Sequence, residues 1–374
     1  MWKRGTLILV CAALVASLHA ANSKTFDTTD ALFRDGAVCR LQIEIPAASL
    51  AALKEGNHSY VRATVREGEM TWRDVGVRLK GHGTFQPMDK KPSLTLKFNE
   101  FVSGQEFHGL TKIMLNNCAQ DPSYLREPLA AQLFRDAGLP APHVAHARVK
   151  LNEREMGFYV LAEGLNKSFL KREFKSASGN LYEGETRDIN EQLNQENGDD
   201  LSQKDLKALV DAARQPASER MQKLRALLDV EEFTTYLAME MITASIDGYA
   251  FKKNNYRMYH HPKTDRLVFL PHGLDATFGS AGFQPPQDSV LVKALWELPE
   301  FQKQYRAKVT EISTSVWKVS LLNSRLNAMA AKLVAAAPDR AIGQQIDEEA
   351  KKLRYQIAQQ QQLLATEIKR WEKK

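Results

Sequence analysis

Cysteine is scarce in this chain, and clustered sulfur ligands for a metal are missing from it. Only three cysteines occur in 374 residues, and none forms a Cys-x-x-Cys pair or another metal-ligand spacing, which excludes a zinc site of the usual kind. Cys11 lies in the N-terminal apolar run, so Cys39 and Cys118 are the two that the rest of the chain keeps. In an oxidising compartment these two could form a disulfide. The sequence does not show whether their backbones approach closely enough.

Long apolar runs are absent from the sequence beyond its N-terminus. No run of about 20 apolar residues follows, so no membrane span is predicted in the mature part. At the N-terminus, Lys3 and Arg4 precede an almost wholly apolar run over 7–18, and small residues lead into the polar stretch 22–24. This order is typical of a secretory signal peptide. We therefore expect residues 1–21 to be a signal peptide and the protein to be exported to the periplasm, the cell surface or the medium.

A strong excess of one charge is also lacking. Lys and Arg number 51 against 45 Asp and Glu, for a net charge of +6. Loss of Lys3 and Arg4 with the signal peptide would leave 49 against 45, or +4. The basic residues are scattered, whereas a nucleic-acid-binding protein would carry a basic stripe. Nucleic acid is therefore not an expected partner, and the charge pattern identifies neither a protein substrate nor an oligomeric state.

Strand patterns fill the first half of the chain. Apolar and polar residues alternate with a period of two, as in half-buried strands, over 39–45, 75–79 and 94–98. The glycine-containing turn Lys80–Phe85 lies between the last two and predicts a hairpin. A helix is expected from about Ser123 to Ala137, closed by Gly138. Two further strands, over 144–151 and 157–163, predict a second hairpin.

The second half is predicted to be mainly helical. A polar, acidic stretch over 185–202 is typical of a surface connection. Ser202 with Asp205, and Asp229 with Glu232, resemble capping boxes that begin helices. Residues 296–374 have a helical pattern, and the glutamine run 359–362 is interpreted as a solvated face. The order predicts an α+β fold of two lobes, strand-rich over 22–184 and helical over 185–374.

One stretch, residues 245–279, brings together groups that bind metals. Tyr256–Tyr259 and Leu267–Leu270 predict two short strands around a Pro-Lys-Thr-Asp turn. Antiparallel pairing would place Asn255 opposite Pro271 or His272. Four polar side chains would then converge at the open end of the hairpin: Asp247, Asn254, Asn255 and Asp275. Two carboxylates and a carboxamide suit Mg²⁺, which completes its shell with water and substrate phosphates.

Protein kinases use the same order of parts. A catalytic loop supplies Asp and Asn, a hairpin follows, and a second Asp holds metal on the phosphates. The spacings here differ from the usual kinase signatures. Asp247 and Asn255 are farther apart than in H-R-D-x-x-x-x-N, and Asp275 is followed by Ala-Thr-Phe-Gly.

Together these residues make the chain similar to the CotH (spore coat protein H) kinase family, over roughly Cys39–Gly279. Four blocks carry the resemblance: KGHGTFQPMDKKPSLTLKF at 80–98, GLTKIMLNNCAQDPSYLREPLAAQLFRDAGLPAP at 109–142 with the hairpin after it, GNLYEG at 179–184, and 247–279. The last is the most specific, because D-G-Y, N-N-Y and L-D-x-x-F-G occur in order. Many members read W-D-x-D before the final T-F-G, whereas this chain reads His272-Gly273-Leu274-Asp275.

The resemblance implies an atypical protein-kinase-like fold that uses ATP and Mg²⁺ to phosphorylate Ser or Thr of a protein. Asp247 matches the catalytic Asp, while Asn255 (or Asn254) and Asp275 match the metal ligands. The residues that the resemblance assigns to the nucleotide are Lys80, Gly81 and Gly83 in the phosphate-covering loop, Lys91 or Lys97 on the next strand, and Glu163. Arg126 either pairs with a phosphate or caps its helix, and His82 and His272 are interpreted as surface or hydrogen-bonded histidines.

Three other functions compete with a kinase. The same fold could transfer AMP, since that choice depends on which way round the nucleotide lies. A catalytically silent surface-binding module is a second alternative, against which the retention of Asp247, Asn255 and Asp275 speaks. A metal-dependent hydrolase would need more clustered His and carboxylate ligands than this sequence has.

Overall fold

The computed structural model describes residues 31–33, 38–54, 59–81 and 83–373. The predicted signal peptide and His82 lie outside the described residues. Within those ranges, no helix combines the length and the apolar character that crossing a membrane would need.

Seven strands of the first half close into a barrel in the order β1-β2-β3-β4-β5-β7-β6. Their bounds are β1 Cys39–Glu44, β2 Val61–Glu67, β3 Met70–Lys80, β4 Ser93–Lys97, β5 Lys112–Asn116, β6 Val144–Leu151 and β7 Arg154–Glu163. The barrel closes because β1 pairs antiparallel with β2 on one side and parallel with β6 on the other. The predicted alternation is confirmed, since Val75, Val77, Leu94 and Leu96 are buried in the barrel core.

Three helices of eight or more residues accompany the barrel strands in the described part of the chain. They are α1 Ala47–Lys54, α2 Arg126–Asp136 and α3 Lys167–Phe174. The helix predicted near 123–137 is therefore confirmed as α2, and Gly138 after it has a φ of +82°, a left-handed conformation that glycine adopts without strain. Both predicted hairpins are also present, as the antiparallel pairs β3–β4 and β6–β7.

The two cysteines of the described chain are free thiols. Cys39 donates a hydrogen bond to Glu67 Oε1 at 2.7 Å, and Cys118 donates one to the carbonyl oxygen of Asn116 at 3.5 Å. Each thiol is thus held at its own place by a local acceptor.

A second sheet of four strands lies outside the barrel, in the order β11-β10-β8-β9. Its strands are β8 Leu181–Glu183, β9 Asn194–Asn197, β10 Tyr256–His261 and β11 Arg266–Pro271. The expectation of a plain surface connection over 185–202 is wrong, because β9 lies in it. Polar residues such as Asn and Gln have low strand propensity, yet Arg257 Nε binds Glu196 Oε2 at 2.7 Å. A distant ion pair therefore holds this edge strand.

Helices make up the rest of the second half. They are α4 Lys204–Ala213, α5 Ala217–Leu227, α6 Val230–Ile242, α7 Tyr249–Lys252, α8 Val290–Trp296, α9 Pro299–Ser315, α10 Val319–Ala335 and α11 Arg340–Trp371. Helix α6 is the central element, since almost all of it is buried. The α+β class, with strands before helices, is thereby confirmed.

One of the two predicted helix caps is confirmed. Asp229 accepts a hydrogen bond from the backbone N–H of Glu232 at 3.1 Å and begins α6. The cap at Ser202 is wrong, since α4 follows Gln203, whose side chain makes no capping bond. Asp205 instead accepts hydrogen bonds from Tyr182 and Asn180. The Asp205 carboxylate thus binds side chains of a distant segment and does not form the helix cap that the local pattern predicts.

The glutamine run of α11 is only partly solvated, which corrects its interpretation as a solvated face. Gln360 is buried with 3% of its surface exposed. Its Nε2 group donates to the carbonyl oxygens of Ile242 at 3.1 Å and Met241 at 3.5 Å. The Ile242 carbonyl ends α6 and lacks a partner within that helix, whereas the Met241 carbonyl also accepts from the backbone N–H of Ala244 at 3.2 Å. The terminal helix therefore caps the central one.

We predict that Gln360→Ala lowers the free energy of unfolding by about 1–2 kcal/mol, because the buried Ile242 carbonyl loses its donor. Urea denaturation measures the change. Gln359 is the matched control, since it is exposed on the same helix; Gln359→Ala should stay within about 0.5 kcal/mol of wild type. Equal stability of the two variants would contradict the capping role.

Candidate active site

The floor of the site is the open end of the β10–β11 hairpin. Tyr256 pairs with Pro271, and the backbone N–H of His272 donates to the carbonyl oxygen of Asn255 at 3.0 Å. The predicted register is therefore confirmed. Gly273 has a φ of +56°, and a Cβ atom there would lie 2.7 Å from Asn255 Oδ1. Only glycine fits this approach.

Asp247 and the two asparagines form one hydrogen-bonded group. Asp247 Oδ2 accepts from Nδ2 of Asn254 at 3.0 Å and of Asn255 at 2.9 Å. The Asn255 amide also donates to the carbonyl oxygen of Gly273 at 2.9 Å. Because this nitrogen faces Asp247, the carboxamide oxygen is the atom with which Asn255 would ligate a cation. Asp247 is half-buried, and burial raises its pKa.

The buried carboxyl group of Glu240, on α6, binds the backbone of the segment 244–250, which carries Asp247 and is called the Asp247 loop. It accepts hydrogen bonds from the backbone N–H groups of Tyr249 at 2.7 Å and Ala250 at 3.0 Å, and from the Tyr236 hydroxyl at 2.9 Å. A Cβ atom on Gly248 would lie 2.0 Å from Glu240 Oε1. Burial raises the pKa of Glu240 to about 7 although these bonds favour the carboxylate. Sequence reasoning assigned Glu240 no role; its one signal was an acid within an apolar helical run.

Lys80, at the end of β3, reaches the other side of the site. Its Nζ donates to Asn116 Oδ1 at 2.7 Å, and Asn116 Nδ2 donates to Glu127 Oε2 at 2.7 Å. Lys80 as a residue is half-buried, but burial of its ammonium group lowers its pKa, and Glu127 and Asp275 oppose that shift. Asp275 and Glu127 are thus both within electrostatic range of the same lysine.

Glu127 is a site residue that sequence reasoning missed. It lies in the first turn of α2 with 2% of its surface exposed. Burial raises its pKa, the charge of Asp275 adds to this, and Lys80 opposes it. A buried acid among apolar helix residues was the available signal, but its lysine partner lies 47 positions earlier in the chain.

The other two candidate lysines lie elsewhere. Lys91 Nζ donates to the Tyr124 hydroxyl at 2.9 Å and sits over the rings of Tyr124 and Tyr159. Lys97 Nζ pairs with Glu100 at 2.6 Å, and 39% of its side chain is exposed. Of the three lysines, the structure brings only Lys80 together with Glu127 and Asp275. Gly81, with a φ of +111°, is the next residue after Lys80, and Gly83 comes two positions later. Contact of these two glycines with phosphate stays a prediction.

Glu163 is not brought to the site. Its buried carboxylate accepts hydrogen bonds from both terminal nitrogens of Arg172 and from the backbone N–H of His143. These partners lower its pKa despite burial. Glu163 pairs across the sheet with Ile113, whose side chain lies in the barrel core. Asn116, the partner of Lys80, is three positions after Ile113 on β5 and therefore faces the other side of the sheet. Glu163 and Lys80 thus lie on opposite faces, and the nucleotide role of Glu163 stays a prediction.

Arg126 ties three elements together. Its guanidinium donates to the carbonyl oxygen of Thr277 and, at 2.9 Å, to Gln356 Oε1 of α11. Its backbone N–H donates to Asp121 Oδ2 at 2.9 Å. The segment after Asp275 is also fixed by the N–H of Phe278, which donates to the carbonyl oxygen of Thr243 at 2.6 Å. Arg126 therefore holds this segment through a backbone carbonyl.

The donor set fits Mg²⁺ bound together with phosphates. The described residues contain no group of three or more His, Cys, Asp or Glu side chains arranged around a metal position. Mg²⁺ needs only one or two carboxylates when water and phosphate oxygens complete its shell. Asp275, Asp247 and the Asn255 oxygen supply such a set, next to the cationic Lys80.

Comparison with known proteins identifies the family of the chain. Residues 77–370 match the family described as CotH kinase protein, and the chain belongs to that family. The match includes the C-terminal helices as well as the four sequence blocks. The chain is also 23% identical over 257 residues to the inner spore coat protein H of Bacillus subtilis (strain 168), covering 61% of this chain and 69% of that protein.

Two solved structures show partial likeness. The Helicobacter pylori proinflammatory kinase CtkA aligns with 77% of this chain and 94% of its own, at 11% identity and a TM-score of 0.38. The HipA–HipB–operator DNA complex of Shewanella oneidensis MR-1 aligns with 79% of this chain and 65% of its own, at 10% identity and a TM-score of 0.33.

We predict that Glu240→Ala loosens the Asp247 loop. Two buried N–H groups lose their acceptor, which should lower the free energy of unfolding by about 1–3 kcal/mol. Hydrogen exchange should accelerate at the amides of Tyr249 and Ala250 in particular. Glu231→Ala is the control on the exposed face of the same helix. Unchanged hydrogen exchange in the Glu240 variant would show that the loop keeps its conformation without the Glu240 hydrogen bonds.

Stability should depend on pH through Glu127. Its pKa is raised by folding, so the folded state binds the extra proton above the ordinary glutamate pKa and the free energy of unfolding falls as pH rises. Glu127→Gln keeps an acceptor for Asn116 and removes the titration. We expect the variant to gain stability relative to wild type between about pH 5 and about pH 8. Urea denaturation at both pH values measures this, and a difference that does not change with pH contradicts it.

Proposed function

We propose that this protein is an exported kinase that transfers phosphate from Mg-ATP to serine or threonine of another protein. The observation that carries the proposal is the hydrogen-bonded chain from Lys80 through Asn116 to Glu127. Asp275 lies within electrostatic range of Lys80, and Asn255, at the mouth of the hairpin, is bonded to Asp247. Kinases need this combination, because phosphoryl transfer depends on positioning and on compensation of phosphate charge. Export rests on the N-terminal sequence pattern alone.

Each residue has a role that its surroundings support. Lys80 would bind phosphate oxygens, with Glu127 and Asn116 fixing its ammonium group. Asp275 and the carboxamide oxygen of Asn255 would hold Mg²⁺. Bound Mg-ATP would supply the transferable phosphoryl group. Asp247, oriented by two asparagine amides, would accept the proton of the attacking hydroxyl group, and its raised pKa suits a proton acceptor better than an ordinary aspartate.

The test incubates the mature protein with Mg²⁺, ATP and dephosphorylated casein, and reads the intact mass of both proteins. Asp275→Asn is the inactive variant. Asp265→Asn is its matched control, since Asp265 lies in the exposed turn at the far end of the same hairpin. We expect a phosphate-sized gain with wild type and the control, and a loss of at least about a hundredfold in rate with Asp275→Asn.

Other outcomes would redirect the proposal. A mass gain of AMP size would replace phosphoryl transfer by adenylyl transfer at the same site. No gain, together with no Mg²⁺-dependent ATP binding by calorimetry, would overturn the enzyme and leave a binding module. Equal activity of Asp275→Asn and Asp265→Asn would remove Asp275 from the metal site.

A further inference from the structure

Two buried polar atoms near Lys80 have no hydrogen-bond partner among the described residues. They are Nη1 of Arg257 and Nδ1 of His272, in residues that expose 5% and 7% of their surface. Both residues lie on the hairpin of the site, Arg257 as the second residue of β10 and His272 directly after β11. His272, expected at the surface or hydrogen-bonded, is thus buried with this atom unpaired.

Arg257 is held rigidly by its other two nitrogens. Nε donates to Glu196 Oε2 at 2.7 Å and Nη2 donates to Glu183 Oε1 at 2.5 Å. Lys112 approaches Glu196 at 4.0 Å. The guanidinium therefore cannot turn its third nitrogen to either glutamate without losing a bond. An unpaired buried donor costs about 1–3 kcal/mol, and such atoms call for an explanation when they occur in pairs.

Lys80 is within electrostatic range of Arg257 and His272 as well as of the carboxylates. The Lys80 ammonium is influenced by Glu127 and Asp275 and also by Arg257 and Glu183. His272 is influenced by Arg257, Lys80 and Lys112. Lys80 is thus within electrostatic range of both Asp275 and Arg257, and His272 is within range of Lys80 and Arg257. An extended ligand with phosphates on Lys80 would reach Arg257 with its other part.

The chemistry around Arg257 and His272 favours a neutral ligand over a second phosphate. The charge of Arg257 is already matched by Glu183 and Glu196, so its Nη1 offers a hydrogen bond and not an unmatched positive charge. His272 Nδ1 likewise offers a single buried hydrogen-bonding atom without a partner among the described residues. A nucleoside carries neutral donors and acceptors on its base and ribose, whereas phosphate would bring a charge without a counterpart.

We propose that Arg257 Nη1 and His272 Nδ1 bind the nucleoside part of the nucleotide whose phosphates lie on Lys80. This assignment rests on the proposed function, because it requires a nucleotide in the cleft. It adds two specificity-determining side chains that make no contact with the phosphates. It also fixes the orientation of the nucleotide, with the base away from Asp275.

Substitutions at the two residues test the assignment. His272→Leu deletes both ring nitrogens, of which Nδ1 has no hydrogen bond to lose. His272→Asn restores a polar atom near the Nδ1 position in a side chain of similar size. Arg257→Lys keeps a positive charge beside Glu183 and Glu196 but replaces the guanidinium, so that Nη1 and the paired geometry of Nε and Nη2 are lost. Arg220→Lys is its control, since Arg220 also binds a glutamate, Glu297, and a carbonyl oxygen, that of Ala294, on helices of the second half.

Calorimetry with Mg-ATP and with magnesium tripolyphosphate tests the assignment on the mature full chain. We expect His272→Leu and Arg257→Lys each to weaken ATP binding about tenfold, the effect of one lost hydrogen bond to a buried group. Tripolyphosphate binding should stay within about threefold of wild type for both. His272→Asn and Arg220→Lys should bind ATP like wild type. Thermal denaturation checks that each variant is folded.

The variants test this inference, whereas the wild-type protein tests the proposed function. ATP affinity that is unchanged in a folded His272→Leu variant overturns the inference alone. Equal losses for ATP and tripolyphosphate also overturn it, because they show that Arg257 and His272 serve phosphate and that the nucleotide lies the other way round. A wild-type protein that binds no ATP overturns both. If Arg257→Lys does not fold, the two His272 variants decide.

Discussion

The ammonium group of Lys80 is the constraint on which the site depends. A charge withdrawn from water is costly unless charged and hydrogen-bonding partners surround it. The partners come from three different elements: Asn116 ends β5, Glu127 begins α2, and Asp275 follows β11. None of these elements is close to Lys80 in the chain. The interactions that stabilise the Lys80 ammonium group therefore hold the barrel, helix α2 and the β10–β11 hairpin in place relative to each other.

Helix α2 transmits this constraint to the rest of the molecule. Its first two residues point to different partners, Glu127 to Asn116 and Arg126 to the carbonyl oxygen of Thr277 and to Gln356. Gln356 and Gln360 are one turn apart on α11, and Gln360 caps the end of α6 just before the Asp247 loop. The C-terminal helix thus contacts both supports of the site. The family match, over residues 77–370, includes this helix almost entirely.

Sequence predicted the parts of the site that local geometry fixes. The β10–β11 register follows from a short turn between two strands, so the convergence of Asn255 with the segment before Asp275 was accessible. Glu127, Glu240 and Gln360 were not, because each acts on a group that folding alone brings near. The same limit explains β9, a polar strand held by Arg257, and Glu163, whose partners Arg172 and His143 turn it away from the site. Periodicity reports which face of an element is buried and does not report which charged partner meets it.

The backbone around Asp247 carries strain that a passive scaffold would have little reason to keep. Ala244, Lys253, Asn255 and Phe278 all have positive φ angles, between 46° and 57°, in a left-handed region that costs a non-glycine residue about 1–3 kcal/mol. The compensating bonds are specific: Glu240 holds the N–H groups of α7, Asn255 spans Asp247 and Gly273, and the Phe278 N–H meets the carbonyl oxygen of Thr243. Because specific hydrogen bonds hold these left-handed residues, the fold itself positions the Asp247 carboxylate before any ligand binds. The proposed proton transfer requires such a fixed acceptor.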